Sequence, residues 1–90
     1  MGEDFKIPRS SDLVEVIILS LKELGGAASS KQIDQKAIEL LQLSSVQVSL
    51  KHSEGSSNRT EIQYRLAWAR TLAKRRNLIR LDGRTIWSVV

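Results

Sequence analysis

The chain closes on "LIRLDGRTIWSVV", two short runs of aliphatic, aromatic and β-branched residues on either side of Asp82-Gly83. Asp-Gly tolerates the positive φ angles of a two-residue type I′ turn, so the stretch predicts a β-hairpin with strands at 78–81 and 84–89. A two-stranded hairpin is marginal alone in water and must lie on helices supplied by the rest of the chain. Trp87 and Leu78, directly opposite one another if the turn is Asp82-Gly83, are the expected anchors of that packing.

The upstream residues supply those helices. Leu13, Val16, Ile17, Ser20, Leu21 and Leu24 recur at helical spacing until Gly25-Gly26, which predicts a helix over about 9–24 with a left-handed C-terminal cap. Ser29 or Ser30 caps a second helix, with Gln32 in capping-box position after Ser29 and an apolar stripe of Ile33, Ala37, Leu40 and Leu41 that runs to about residue 43. Residues 27–29 are too short for an independent element but can add an edge strand to a sheet formed elsewhere. A further short helix capped by Ser44 or Ser45 is expected in 44–53, with a loop over 54–58. Asn58, with Glu61 at the third helical position, opens a long helix to about residue 76, and Asn77 can take the left-handed cap at its end. The expected fold is mainly α with a small β-hairpin: three or four helices plus a C-terminal wing, the order of a winged helix, a helix-turn-helix variant. Residues 1–8 form a polar lead-in, expected to be flexible, and 9–90 one domain.

Ninety residues with 41% hydrophobic content fit one modest core. The absence of cysteine excludes a disulfide framework and a thiolate zinc site, and makes an intracellular, cytoplasmic location the simplest expectation. The most apolar run, 13–19, contains Glu15 and falls short of the roughly 18 residues a membrane span needs. The opening "MGED" does not resemble a basic signal-peptide start.

Charge is divided along the chain. Residues 1–50 hold five Lys and Arg against seven carboxylates, a net of −2, whereas residues 51–90 hold nine against three, a net of +6. A field focused in this way suits a polyanion, because neutralising phosphates releases condensed counterions; a solvated basic surface has the same composition.

The long helix divides by angle. At about 100° per residue, Ile62, Leu66, Ala69, Leu72 and Ala73 share one side and form the expected core stripe. Arg59, Thr60, Gln63, Ala67, Arg70, Thr71 and Lys74 fall on the other side. Arg and Gln can pair with guanine and adenine edges, and the small or methyl-bearing Ala67, Thr60 and Thr71 can approach a thymine or a methylated base. Arg65 and Arg76 lie beside the core stripe and are expected to serve the fold, while Arg75 is unassigned. Tyr64 and Trp68 flank the stripe and are expected to fill the joint between helix and hairpin. Arg84 in the turn, with Arg80 on the preceding strand, is placed to reach a flanking backbone or minor groove.

No catalytic, metal or cofactor site is expected. "IDQK", 33–36, has the spacing of a nuclease D-x-K element but sits inside a helix without a second carboxylate to share magnesium. His52, the only histidine, is expected in a solvent-facing loop, and its adjacency to Ser53 and Glu54 does not make a triad.

With "LKELGGAASSKQI" in the first half, "YRLAWART" at 64–71, "NLIR" at 77–80, and Gly83 with Trp87 in the hairpin, residues 9–89 resemble the N-terminal winged-helix domain of Mrr-type restriction proteins. These prokaryotic defence proteins are directed at modified DNA. The Tyr-Arg-x-x-Trp-Ala-Arg-Thr core is the specific part of the match; the remainder is ordinary winged-helix patterning. The resemblance implies double-stranded DNA as partner, target recognition as role, and a C-terminal nuclease domain of the PD-(D/E)xK type in a longer parent. It makes Arg59, Thr60, Gln63, Arg70 and Lys74 the expected reading face, with the long helix in the major groove and Arg84 beside it. The chain departs from the family in having Asn77 where glycine is common, in a wing without the Arg-Gly-x-Trp form, and in lacking the nuclease, which leaves two expectations open, a domain of a longer parent or a complete small protein. The alternative expectation is a winged helix that binds a protein or dimerises, with Tyr64 or Trp68 as its anchor.

Overall fold

The computed structural model describes residues 7–50 and 60–90. In chain order they form α1 (Ser10–Glu23), β1 (Ala27–Ser29), α2 (Ser30–Leu41), α3 (Ser45–Ser49), α4 (Glu61–Arg75), β2 (Ile79–Asp82) and β3 (Ile86–Val89). The molecule is mainly helical with a small antiparallel sheet of order β1-β3-β2, a winged-helix-like layout.

The principal helix packing is α1 against α4. Leu13, Ile17 and Leu21 of α1 meet a buried row of Ile62, Leu66, Ala69 and Ala73 on α4, and the two alanines permit close approach of the backbones. Ile33 and Ala37 bring α2 into the same core. Ser20, fully buried in α1, donates its hydroxyl to the Val16 carbonyl at 2.7 Å and so carries no unmet polar group into the core. Ile7 is also buried, and the carbonyls of Ile7 and Pro8 accept from the Arg65 guanidinium at 2.5 and 3.2 Å. Packing therefore begins two residues earlier than the sequence reading placed it, because the lead-in read as polar carries apolar residues of its own, Ile7 among them.

Local chemistry accounts for the helix ends. Gly26 at φ +97° donates to the Leu21 carbonyl at 2.7 Å and stops α1 as expected. Ser29 rather than Ser30 caps α2, in a full capping box with Gln32, and Ser44 does the same for α3 with Gln47. The start of α4 differs from expectation. Thr60 is its N-cap and Gln63 closes the box, two residues later than the Asn58–Glu61 pair; Asn58 and the loop expected over 54–58, like His52, lie outside the described residues. The Glu61 amide donates to the Leu50 carbonyl at 2.7 Å, so α4 begins beside the end of α3. Asn77 takes the left-handed conformation at φ +61°, and the Leu78 amide returns to the Ala73 carbonyl.

The hairpin forms, but with a longer turn. Asp82 pairs with Ile86, leaving Gly83, Arg84 and Thr85 as the loop, and of the two residues expected in a type I′ turn only Gly83 has positive φ. Asp82 is held in the strand by Ser88 Oγ, which donates to its carboxylate at 2.6 Å, and by Arg80 Nε at 3.2 Å. The register consequently sets Trp87 opposite Leu81, not Leu78, and Leu78 is left 39% exposed. β1 adds to the sheet through Ala28↔Trp87, the edge strand expected of residues 27–29. Ala28, Ile79, Leu81, Trp87 and Val89 thus share the face that closes the core.

Candidate nucleic-acid interface

The buried sector of α4 is wider than the apolar stripe. It includes Arg70, only 8% exposed, whose guanidinium forms an ion pair with Asp34 of α2. Arg70 was expected on the outer face with Gln63 and Lys74. Its angle, about 80° from Ile62, lies on the flank that α2 approaches, and the carboxylate there draws the cation inward. The same contact accounts for the acidic residue of "IDQK": Asp34 faces Arg70, and Lys36 pairs with Glu39 at 3.4 Å.

The other expected site residues divide into distinct surroundings. Thr60 is half-buried and its hydroxyl caps α4, accepting from the Gln63 amide. Gln63 is exposed; its carbonyl accepts from the Thr60 amide at 3.1 Å, leaving the side-chain nitrogen without a protein partner among the described residues. Lys74 is exposed on the last turn of α4, and Arg84 is exposed in the hairpin loop. Arg80, also exposed, is paired with Asp82. Arg59 lies outside the described residues. Arg65 serves the fold as expected, bonding Glu61 at 2.6 Å as well as the Ile7 and Pro8 carbonyls. Arg76 does not lie against the core: it is exposed, as is the previously unassigned Arg75, and it borders a depression that also contains Asp12 and Glu15 of α1.

Trp68 departs most from the sequence reading. Expected in the joint between helix and hairpin, it is 43% exposed. At about 240° from Ile62 it stands on the side of α4 away from α1, and the joint is filled instead by Trp87, whose Nε1 donates to Ser30 Oγ at 2.9 Å. Sequence reasoning missed Trp68 and Arg75 as outward-facing groups, reading Trp68 as a flank of the core stripe and leaving Arg75 unassigned, although about 100° per residue puts them about 240° and 220° from Ile62.

Two open hollows border these residues. One, of about 440 Å³, lies between α2 and α4 over the Asp34–Arg70 pair and has Lys31 and Gln63 in its wall. The other, of about 220 Å³, is formed on α4 by Ala67, Trp68, Thr71 and Arg75. The exposed side chains of α4 are Gln63, Trp68, Lys74 and Arg75, with no carboxylate among them. This combination provides cations able to pair with phosphate, an amide able to pair with a base edge, and an aromatic surface. Among the described residues there is no group of three or more potential metal ligands, and no helix is long and apolar enough to cross a membrane.

The family model described as the Mrr N-terminal domain matches residues 11–89. No curated protein and no solved structure gives a match.

Proposed function

Because the chain belongs to the Mrr N-terminal domain family, we propose that it is the double-stranded DNA-binding module of a restriction system, acting with α4 in the major groove. The observation that carries this reading is the outward side of α4, which presents Gln63, Lys74 and Arg75 without an exposed carboxylate. A helix-turn-helix module docks by laying its second helix along the groove, and phosphate contacts from flanking cations fix its register. Here α1 backs α4 along its length, so the helix is presented by a packed support rather than by a loop. Lys74 and Arg84 contact phosphates in this arrangement, and Gln63 meets a base edge. Arg59, outside the described residues, is kept as a proposed phosphate contact on its charge alone. Arg70 remains bound to Asp34, positioning α4 relative to α2 instead of reading bases. A nuclease domain following in a longer parent chain would receive its target through this contact.

Trp68 favours a second reading, a protein-binding face anchored by an exposed aromatic. Salt separates the two. Duplex binding through phosphate contacts weakens with a log–log slope of about −0.9 per contact. The expected result is low-salt binding to a labelled duplex with such a slope; absence of duplex binding by the folded domain at low salt overturns the DNA reading.

A further inference from the structure

We propose that Gln63 reads guanine and rejects adenine, because the capping box that starts α4 leaves its side chain as a donor only; the assignment rests on the DNA-binding reading above. A glutamine with both ends of its carboxamide free pairs with adenine, the oxygen accepting from N6 and the nitrogen donating to N7. In this chain the oxygen is committed. The Thr60 amide donates to Gln63 Oε1 at 3.1 Å, while Thr60 Oγ1 accepts from the Gln63 amide at 3.3 Å. Backbone N–H groups at the start of a helix have no partner within it, so turning the oxygen to a base reopens the box and leaves the Thr60 amide unpaired. The side-chain nitrogen carries no such cost: Gln63 is exposed, and its two amide hydrogens have no protein partner among the described residues.

A group that only donates needs an edge that only accepts. Guanine presents O6 and N7, one acceptor for each hydrogen, whereas adenine places its N6 amino group beside N7 and cytosine presents N4 hydrogens, so both set donor against donor. Thymine offers O4 alone. Position within the helix supports the contact, since Gln63 stands in the first turn of α4 and the N-terminal residues of a recognition helix are those that meet base edges. Gln63 also lines the hollow of about 440 Å³ between α2 and α4, together with exposed Lys31, a cation for the flanking phosphate. The one carboxylate in that wall, Asp34, is paired with Arg70 and so sets no bare negative charge against the duplex.

The test uses the full chain to select bound duplexes from a pool with a randomised central stretch, and compares wild type with two variants. Gln63→Glu keeps the capping box, which a carboxylate at the third helical position also closes, but replaces the donor by an acceptor; Gln63→Met removes the donor without adding charge. Wild type should favour guanine over adenine about tenfold at one position. Gln63→Glu should move that position alone to cytosine, whose N4 donates, without loss of thermal stability. Gln63→Met should lose the preference there and keep the others. In the selected duplex, 7-deazaguanine at that position, lacking N7, should lower the affinity of wild type and leave that of Gln63→Met unchanged, a result that a role of Gln63 in helix stability alone would not give. Adenine or thymine at the position that responds to Gln63, or guanine preferences that all survive Gln63→Met or Gln63→Glu, overturn the proposal while the DNA-binding reading stands. Absence of any duplex binding at low salt overturns both.

Discussion

Arg70 illustrates how one contact changes the meaning of a cation. A guanidinium 8% exposed is stable only with a partner, and Asp34 provides it from another helix. Removing the carboxylate leaves the cation partly buried without its counterion, so Asp34→Ala should lower the free energy of unfolding by about 2 kcal/mol in urea titrations. Replacing both residues, Asp34→Leu with Arg70→Met, should recover most of that loss, because the desolvation cost disappears along with the attraction. The two tryptophans make the corresponding apolar contrast. Trp87 is 9% exposed and bonded to Ser30, so Trp87→Ala should cost about 3 kcal/mol or more. Trp68→Ala, at an exposed site, should stay within about 1 kcal/mol of wild type; thermal unfolding of the two variants side by side checks the ordering. The helical projection contained the angles of both Arg70 and Trp68. It did not contain the position of α2, which buries one, or of Trp87, which takes the place assigned to the other.

At the level of elements, what was legible followed the range of the interaction. The capping boxes of Ser29 with Gln32 and the glycine stop after α1 are contacts within a few residues, and their chemistry is visible as spacing. The start of α4 was expected at Asn58, whereas Thr60 caps it, and this cap accompanies a bond between Glu61 and Leu50 that no local pattern contains. Thr60→Ala should therefore cost about 1 kcal/mol, measured by chemical denaturation, while Thr60→Ser should keep both the cap and duplex affinity. A loss of affinity in a stably folded Thr60→Ser variant would instead assign the methyl to DNA contact. The hairpin shows the same limit. Asp82-Gly83 correctly marked the reversal, but the loop length depends on Ser88 and Arg80 holding Asp82 in its strand. Within the hairpin loop only Gly83 has positive φ, at +65°, where a Cβ would be strained, so Gly83→Ala should destabilise the domain by about 1 kcal/mol and Gly83→Asn by less.

Over the whole molecule, the division of charge between the two halves of the sequence becomes a division between surfaces. Asp12, Glu15 and Glu23 stand exposed on α1, whose opposite side is packed on α4, while Lys74 and Arg75 stand on the outward side of α4 and Arg84 in the hairpin loop. These carboxylates have Lys22 exposed among them and Arg76 beside Asp12 and Glu15, a mixed surface, whereas the outward side of α4 exposes cations and no carboxylate, so a duplex should approach from the α4 side. If Lys74 and Arg84 each neutralise one phosphate, replacing either with alanine should weaken binding similarly for every duplex sequence and reduce the magnitude of the log–log salt slope by about 0.9, with both losses adding in the double variant. Glu15→Gln on α1 removes a negative charge of the opposite surface and should leave the slope unchanged. A slope equally sensitive to Glu15 and Lys74 would mean that affinity follows net charge alone, and the duplex would then have no preferred face; a slope sensitive only to Lys74 and Arg84 places the phosphates along α4 and the hairpin loop.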